Sequence, residues 1–434
     1  MLCFISPVVA SQTFRPLSVN TSAMAVDILL YRSIHEITPH LWDNLVPRDK
    51  YFMARPYLSA LEDGCREVLD FFYVVFSRQN KPIALATFQL SDIKGGDHLR
   101  IRDHKAKNAA DTPSDTDSDS DGWFNFIQRT IKQRVISGVN QLSFRLLVGG
   151  NVHITGEHGF YFDSEQLTPT EAYKLLDEAT KLIINHEGEQ GRPISLVLLK
   201  DYGPETILEA QNLSYLGYRE IKALPDMILH MRPQWHTYDD YLADFSSKYR
   251  VRAKSYDKKS AQLERRTLGL PELEMQINDF YPLYRQILIH ADLNIAFATP
   301  QYFVELKKQL GDDFTFLAYY LHGVPVGFIS IIHASTHTEA HLTGYNEYFN
   351  KQHAIYPCIL YDIVREGIRR QSPKIVFGRT ALEIKSTLGA VGVHYNTFLR
   401  HRICAANLLL GKLVDNLRND DWIPRHPFRD DEVN

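Results

Sequence analysis

Asp70 to Leu90 reads DFFYVVFSRQNKPIALATFQL, and Asp313 to His333 reads DFTFLAYYLHGVPVGFISIIH. The two stretches align without a gap: Asp70 falls on Asp313, Phe71 on Phe314 and Pro82 on Pro325. Each has two apolar runs around a short polar turn, the pattern of a β-hairpin. In the second, Leu321-His322-Gly323-Val324-Pro325 brings the glycine and proline that tight turns favour. A segment of this length recurring with its turn in register points to an internal duplication.

The flanks repeat as well. Upstream, YFMARPYLSALEDG (Tyr51 to Gly64) parallels IAFATPQYFVELKKQLGD (Ile295 to Asp312), each an aromatic, a proline and a short amphipathic helix. Downstream, ISLVLLKDYGPETILEAQNLSYLGYREI (Ile194 to Ile221) parallels KIVFGRTALEIKSTLGAVGV (Lys374 to Val393). Each reads as a buried strand, a helix, a Leu-Gly stop and a further strand, glycine being the expected helix terminator. Between them lie one more strand and helix per half. In the first half these are Ser143 to Val148 and a helix opened by Thr168-Pro169-Thr170-Glu171, a capping box with proline in the first turn. In the second they are Ala340 to Tyr345 and a helix from near Pro357 to about Arg370. The expectation is an α/β (α+β) chain of two like domains, 24–233 and 269–434, the second closing on a C-terminal helix. A basic helical connector, 234–268, joins them.

Composition agrees with this. The 434 residues exceed what one hydrophobic core comfortably holds, and 44% hydrophobic with 23% charged residues is ordinary for a globular chain. A formal net charge of −4 gives no global attraction to nucleic acid or anionic lipid, so any such partner must use a local patch. No apolar run reaches the roughly 18 residues that would suggest a membrane span. Cys3, Cys65, Cys358 and Cys404 have no metal-ligand or redox spacing and read as free thiols of a reducing, cytoplasmic setting. Residues 1–23 lack a basic start and are expected to be a disordered extension, not a secretory signal. Asp103 to Gly122 (DHKAKNAADTPSDTDSDSDG) is too poor in apolar residues to offset its ordering entropy and should be a mobile acidic loop.

The order of elements in each half resembles the GNAT acyltransferase fold, and the tandem resembles its FemAB-like (peptidoglycan biosynthesis and recognition) branch. Leu224-Pro225-Asp226-Met227-Ile228-Leu229, Trp235, Tyr238 to Leu242 and Ser246-Ser247-Lys248-Tyr249-Arg250 are similar to that family's interdomain signature. Phe377-Gly378-Arg379 with Lys385 and Leu388-Gly389 resembles its second motif. The resemblance spans nearly all of Met24 to Leu417. It implies transfer of an acyl or aminoacyl group from acyl-CoA or aminoacyl-tRNA, bound as a co-substrate, to an amine, for instance of a cell-envelope precursor. No tightly held cofactor or metal is expected. It also implies middle strands that splay apart, with the donor carbonyl meeting exposed backbone. The segment Asn350 to Pro357 has no glycine pair to wrap a pyrophosphate, and Lys351, Gln352 and His353 would supply side-chain donors in its place. The first-half loop, Gly156 to Asp163, carries two acids that would repel one. A duplicated fold that has lost its donor loop and only binds a ligand is the alternative reading.

Candidate site residues follow from position. Lys385, in the helix after the Phe377-Gly378 strand, would stabilise a developing oxyanion or hold an anion; the plainer reading is a solvated lysine. Arg379 follows a strand end, where α/β folds place ligand contacts, and its fork suits a phosphate or carboxylate. A pair with Glu383 is the alternative. Tyr345 and His341 are an even step apart and so share a strand face, where a tyrosine can protonate a leaving group and a histidine can accept the amine's proton. Lys248, Arg250 and Arg252 head a basic run, with Lys254, Lys258, Lys259, Arg265 and Arg266, that can track substrate phosphates or merely form a solvated face. Gly149-Gly150-Asn151 with Thr155-Gly156 line a first-half cleft or simply turn the chain.

Overall fold

The computed structural model describes residues 17–21, 25–94, 143–222, 224–288, 294–403, 405–407 and 422–429. The acidic loop Asp103 to Gly122 lies outside them, as do Cys3, Cys404 and most of the expected C-terminal helix.

The first half opens with β1 (Leu17–Thr21) and β2 (Val26–Tyr31), followed by helix α1 (Arg55–Cys65). The hairpin β3 (Asp70–Arg78) and β4 (Lys81–Lys94) comes next, then β5 (Ser143–Gly149) and the short β6 (Phe160–Phe162). Helix α2 (Pro169–Glu189), β7 (Leu196–Tyr202), two single helical turns and β8 (Arg219–Lys222) complete it. The capping box is present: Thr168 and Glu171 satisfy each other's backbone N–H groups. Behind it Leu175, Leu176, Ala179 and Ile183 recur at helical spacing and are buried in the core of the first sheet.

The second half runs β9 (Asp226–His230), α3 (Tyr238–Asp244), α4 (Ser247–Lys259), β10 (Glu264–Thr267), α5 (Leu270–Leu288) and α6 (Pro300–Leu310). Its hairpin is β11 (Phe314–Leu321) and β12 (Val324–Ala334), followed by β13 (His337–Tyr345), α7 (Glu347–His353) and α8 (Ile355–Arg369). Then come β14 (Lys374–Val376), α9 (Leu382–Ser386), β15 (Val391–Val393) and β16 (Asn396–His401). The two hairpins turn alike. Gln79 and Asn80 have φ of 51° and 63°, and His322 and Gly323 have 52° and 77°. Two successive left-handed residues make the turn whose twist matches the strands it joins.

Two mixed sheets flanked by helices result, and their membership does not follow the chain. The first is ordered β1-β2-β3-β4-β5-β7-β16-β8, and the second β10-β11-β12-β13-β14-β9-β15. The exchange is reciprocal: β16 enters between β7 and β8, while β9 enters between β14 and β15. The division expected at Pro233 is therefore crossed twice, because both exchanged strands are antiparallel to both neighbours and fill otherwise unpaired ladders.

Two further expectations change. Residues 17–21, expected to be disordered, pair with β2 from Leu17↔Leu30 to Thr21↔Val26; the alternation Leu17, Val19, Thr21 is a strand period that the reading of the extension overlooked. The connector 234–268 is not one helix. It breaks at Phe245-Ser246 into α3 and α4, and Glu264–Thr267 turns into a strand pairing with β11.

The halves share a core. Tyr57, Leu58 and Leu61 of α1 are buried in one cluster with Phe280 of α5 and with Tyr302, Phe303 and Leu306 of α6. Gly64 permits the approach of α1 to α6, since a Cβ there would lie 2.4 Å from the Cα of Tyr302. Thr299 Oγ1 donates to the Gly64 carbonyl, and Ser91 Oγ donates to the Ile295 carbonyl at 2.7 Å.

Candidate functional site: an interdomain charge cluster at a strand fork

β13 and β14 run parallel but touch only at Thr338↔Ile375 and Glu339↔Val376. Beyond that point β13 continues to Tyr345, while β14 ends and the chain turns at Gly378, φ 74°. On the far side of β14, β9 stays paired: Phe377 N donates to Met227 O at 2.8 Å, and Met227 N to Gly378 O at 3.2 Å. The sheet thus forks between β13 and β14, leaving one edge of β13 without a strand partner past Glu339.

Lys385 sits at this fork. Helix α9 presents it inward, 3% exposed, and its Nζ donates to Phe377 O at 2.6 Å and Gly378 O at 3.2 Å. It is not a solvated lysine. Burial pushes its ammonium down to about 7, against Asp226 and Glu339, which favour the charged form. Asp226, at the start of β9, and Glu339, on β13, are buried themselves. Desolvation raises both carboxyls above their ordinary range, Glu339 strongly, with the Asp226 charge adding to the effect on Glu339.

The cluster draws on both halves. Arg379 is ion-paired to Asp201 of β7 and, at 3.3 Å, to Asp226; Glu383, the expected alternative, pairs with Arg425 at 3.3 Å. Asp201 also meets Lys200 at 3.2 Å, and Lys200 Nζ donates to the carbonyls of Asn151 (2.7 Å) and Ile154 (2.9 Å). Thr155 Oγ1 donates to Asp226 Oδ1 at 2.8 Å, and Gly156, φ 83°, leaves its Cβ position 3.2 Å from Asp226 Oδ2. The first-half segment Asn151 to Gly156 is thus part of the site, through main-chain carbonyls and one hydroxyl. Glu157 follows, and burial pushes it up to about 8. Asp226 Oδ2 and Glu157 Oε1 are buried without a hydrogen-bond partner, whereas Asp201 Oδ2 meets Lys200 Nζ and Glu339 Oε2 lies 3.6 Å from His337 Nε2. Buried orphans are uncommon where no ligand or water is meant to meet them. Arg379, committed to two acids, is not available as a phosphate fork.

His341 and Tyr345 do not share a face. Ile329 pairs with Thr343 but Ile331 pairs with Ala340, so Ser330 lies opposite both His341 and Leu342. This bulge shifts the alternation by one. Tyr345 turns to the α8 side, stacked on Tyr356 at 5.3 Å, six residues or roughly 20 Å along the strand from Glu339. His341 stays on the Glu339 face, but both ring nitrogens are used. Ser330 Oγ donates to Leu342 O at 3.0 Å, so His341 Nδ1 donates to Ser330 at 3.1 Å and Nε2 accepts from Tyr302 OH at 3.2 Å. The chain continues: Tyr57 OH lies 2.9 Å from Tyr302 OH and accepts from Asn151 Nδ2 at 2.8 Å. Burial also holds the His341 imidazole well below its ordinary range. With no lone pair left, His341 cannot take a substrate proton.

Asn350 to His353, expected to be loop, forms the end of α7. Lys351 and Gln352 are exposed, but His353 is buried and faces Phe349. At the start of α8, Asn350 Oδ1 takes the Tyr356 N–H at 2.8 Å, Cys358 N is bonded to Ala354 O, and Pro357 has no N–H. Few donors remain there for a pyrophosphate. In the basic run, Arg250 caps the Phe245 carbonyl at 3.2 Å, Arg265 pairs with Asp362 at 2.8 Å, and Arg266 pairs with Glu264 at 2.7 Å. Lys248 and Arg252 line an open groove between α4 and α9.

Glu339 and Asp226 went unmarked in the sequence because an acid inside a strand reads as solvent-facing. The even spacing His337, Glu339, His341 was the available signal. Cys65 and Cys358 are free and buried. No helix among the described residues is long and apolar enough to cross a membrane.

No family model matches the chain, and no curated protein matches it in sequence. Solved structures do. The crystal structure of FemX covers 88% of this chain and 99% of its own at 11% identity and a TM-score of 0.47. The tandem GNAT protein from the clavulanic acid biosynthesis pathway covers 87% and 98% at 9% and 0.49. L-PGS from Bacillus licheniformis covers 82% and 96% at 13% and 0.43. At these identities and scores the likeness lends nothing to the chemistry, which rests on the fork and its charges. The chain itself is an α/β protein of two mixed sheets flanked by helices and interlocked by exchanged strands.

Proposed function

We propose that this protein is a transferase moving an acyl or aminoacyl group from a thioester or ester donor to an amine at the β13–β14 fork. One observation carries the reading: the strands part immediately after Glu339↔Val376, where Glu339, Asp226 and Lys385 are gathered. The unpartnered edge of β13 offers main chain to the donor carbonyl. Glu339, its Oε2 3.6 Å from His337 Nε2 and its carboxyl raised by burial, accepts the proton as the amine attacks. Lys385, close to neutrality in its titration, supplies positive charge near the developing oxyanion. The amine nitrogen bonds to the carbonyl carbon, the thiolate or ribose oxygen leaves, and it takes up a proton. The donor is acyl-CoA or aminoacyl-tRNA, and an amine on a cell-envelope precursor is one acceptor of the right chemistry.

The test is turnover by the full chain with labelled acyl-CoA or charged tRNA and a panel of amines. Glu339→Gln should lower kcat by about 10²–10⁴-fold without loss of fold. Wild-type protein that neither binds nor turns over either donor class sinks the proposal.

A second reading, a binding protein without turnover, is favoured by one fact: the Lys385 ammonium is already bonded to two carbonyls. Lys385→Ala that keeps fold and ligand, alongside a wild type that never turns over, would select it.

A further inference from the structure

A groove of about 850 Å³ between α4 and α9 is lined by Lys248, Arg252, Lys259 and Arg425, with the rings of Tyr249 and Tyr256. Lys248, Arg252, Ser255 and Lys259 all line it and recur in steps of four, three and four, one face of α4. Lys254 and Lys258 lie off that face and do not line the groove. Among the described residues, none of Lys248, Arg252 and Lys259 has an acid partner, and the one acid lining the groove, Glu383, is held by Arg425. The whole chain is net negative, so this concentration of unneutralised charge is local. Glu383, Ile384 and Thr387 of the α9 region face the groove, while Lys385 faces the fork. The two sites are back to back across a helix, about 10 Å.

We propose that this groove binds the phosphate-bearing nucleotide portion of the acyl donor. The cations meet its phosphates and the tyrosines its base. The reacting carbonyl then reaches the fork on a tether of about one helix diameter. The assignment rests on the transferase reading for the word donor, but not for the binding itself. It adds Lys259, Arg425, Tyr249 and Tyr256 to the basic residues marked in the sequence and removes Arg250, whose guanidinium caps a carbonyl.

The experiment is fluorescence titration of the full chain with two probes, adenosine 3′,5′-bisphosphate and a single-stranded oligoribonucleotide. These represent a soluble thioester's nucleotide and an RNA-linked ester. One or both should bind, more weakly as salt rises, with a slope reduced by about 0.7 for each single-strand phosphate contact removed. Lys248→Ala/Arg252→Ala should weaken binding by roughly tenfold or more and raise the donor KM with kcat nearly unchanged. Lys254→Ala, on the same helix, should change neither. Absence of binding by both probes overturns the proposal, as does binding indifferent to salt or to the double substitution. If the probes bind as described but no acyl group is ever transferred, the groove stands and the transferase reading falls. If transfer proceeds in the double variant with unaltered donor KM, the reverse holds.

Discussion

Lys385→Met removes the ammonium at the fork and keeps most of the side chain's length. Burial lowers this group from 10.5 in a free lysine to about 7. At 1.36 kcal/mol per tenfold change in proton affinity, that is about 5 kcal/mol of folding free energy lost when the site is charged. The sign follows from which state holds the proton. Between pH about 7 and 10.5 the unfolded chain binds a proton here that the folded chain has released, so this group's contribution becomes more favourable as pH rises. Below about 7 both states are protonated and the cost is full. Wild type should therefore gain about 2–3 kcal/mol relative to Lys385→Met between about pH 6 and about pH 9. The variant also takes the Lys385 donor from the Phe377 carbonyl, while Gly378 O keeps Met227 N, an offset of about 1–3 kcal/mol that does not share this pH dependence. Urea denaturation of both proteins across that range, compared at equal m, separates slope from offset. A wild-type minus variant difference flat to within about 0.5 kcal/mol would refute the buried, near-neutral lysine.

Three further outcomes are expected. Tyr302→Phe breaks the hydrogen-bond chain from Asn151 to Ser330 and leaves His341 Nε2 without a donor, which should cost about 1–3 kcal/mol in thermal or chemical denaturation; an unchanged midpoint would show that the chain contributes nothing. Gly64→Ala drives a methyl to 2.4 Å from the Tyr302 Cα and should cost about 3 kcal/mol, read from denaturation midpoints; an unchanged midpoint would show that α1 and α6 shift apart freely. Splitting the chain at residue 233 strands β9 and β16 away from the sheets they complete. Separately expressed halves should be insoluble or unfolded by circular dichroism, whereas co-expression restores the complex, and a stable isolated half would argue that the exchange is dispensable.

The local architecture was legible in the chain itself. The paired hairpins, the Thr168–Glu171 capping box and the Leu-Gly stops at Gly217 and Gly389, with φ of 86° and 90°, appear where residue order placed them. Such features depend on neighbours within a few positions, where periodicity, caps and φ preferences act directly. Which sheet a strand joins is a different matter. β8 and β9 are close neighbours along the chain, yet they belong to different sheets, because an antiparallel ladder is satisfied by any partner of matching edge. One extra residue opposite Ser330 turned His341 and Tyr345 to opposite faces, and alternation counted along a single strand cannot register a bulge set by its neighbour. Lys385 was found as a residue but not as a buried one. Its proximity to Asp226 exists only because β9 from one half completes the sheet of the other. The charges that define the site come from segments far apart in sequence, and only their packing takes them out of water and moves their proton affinities.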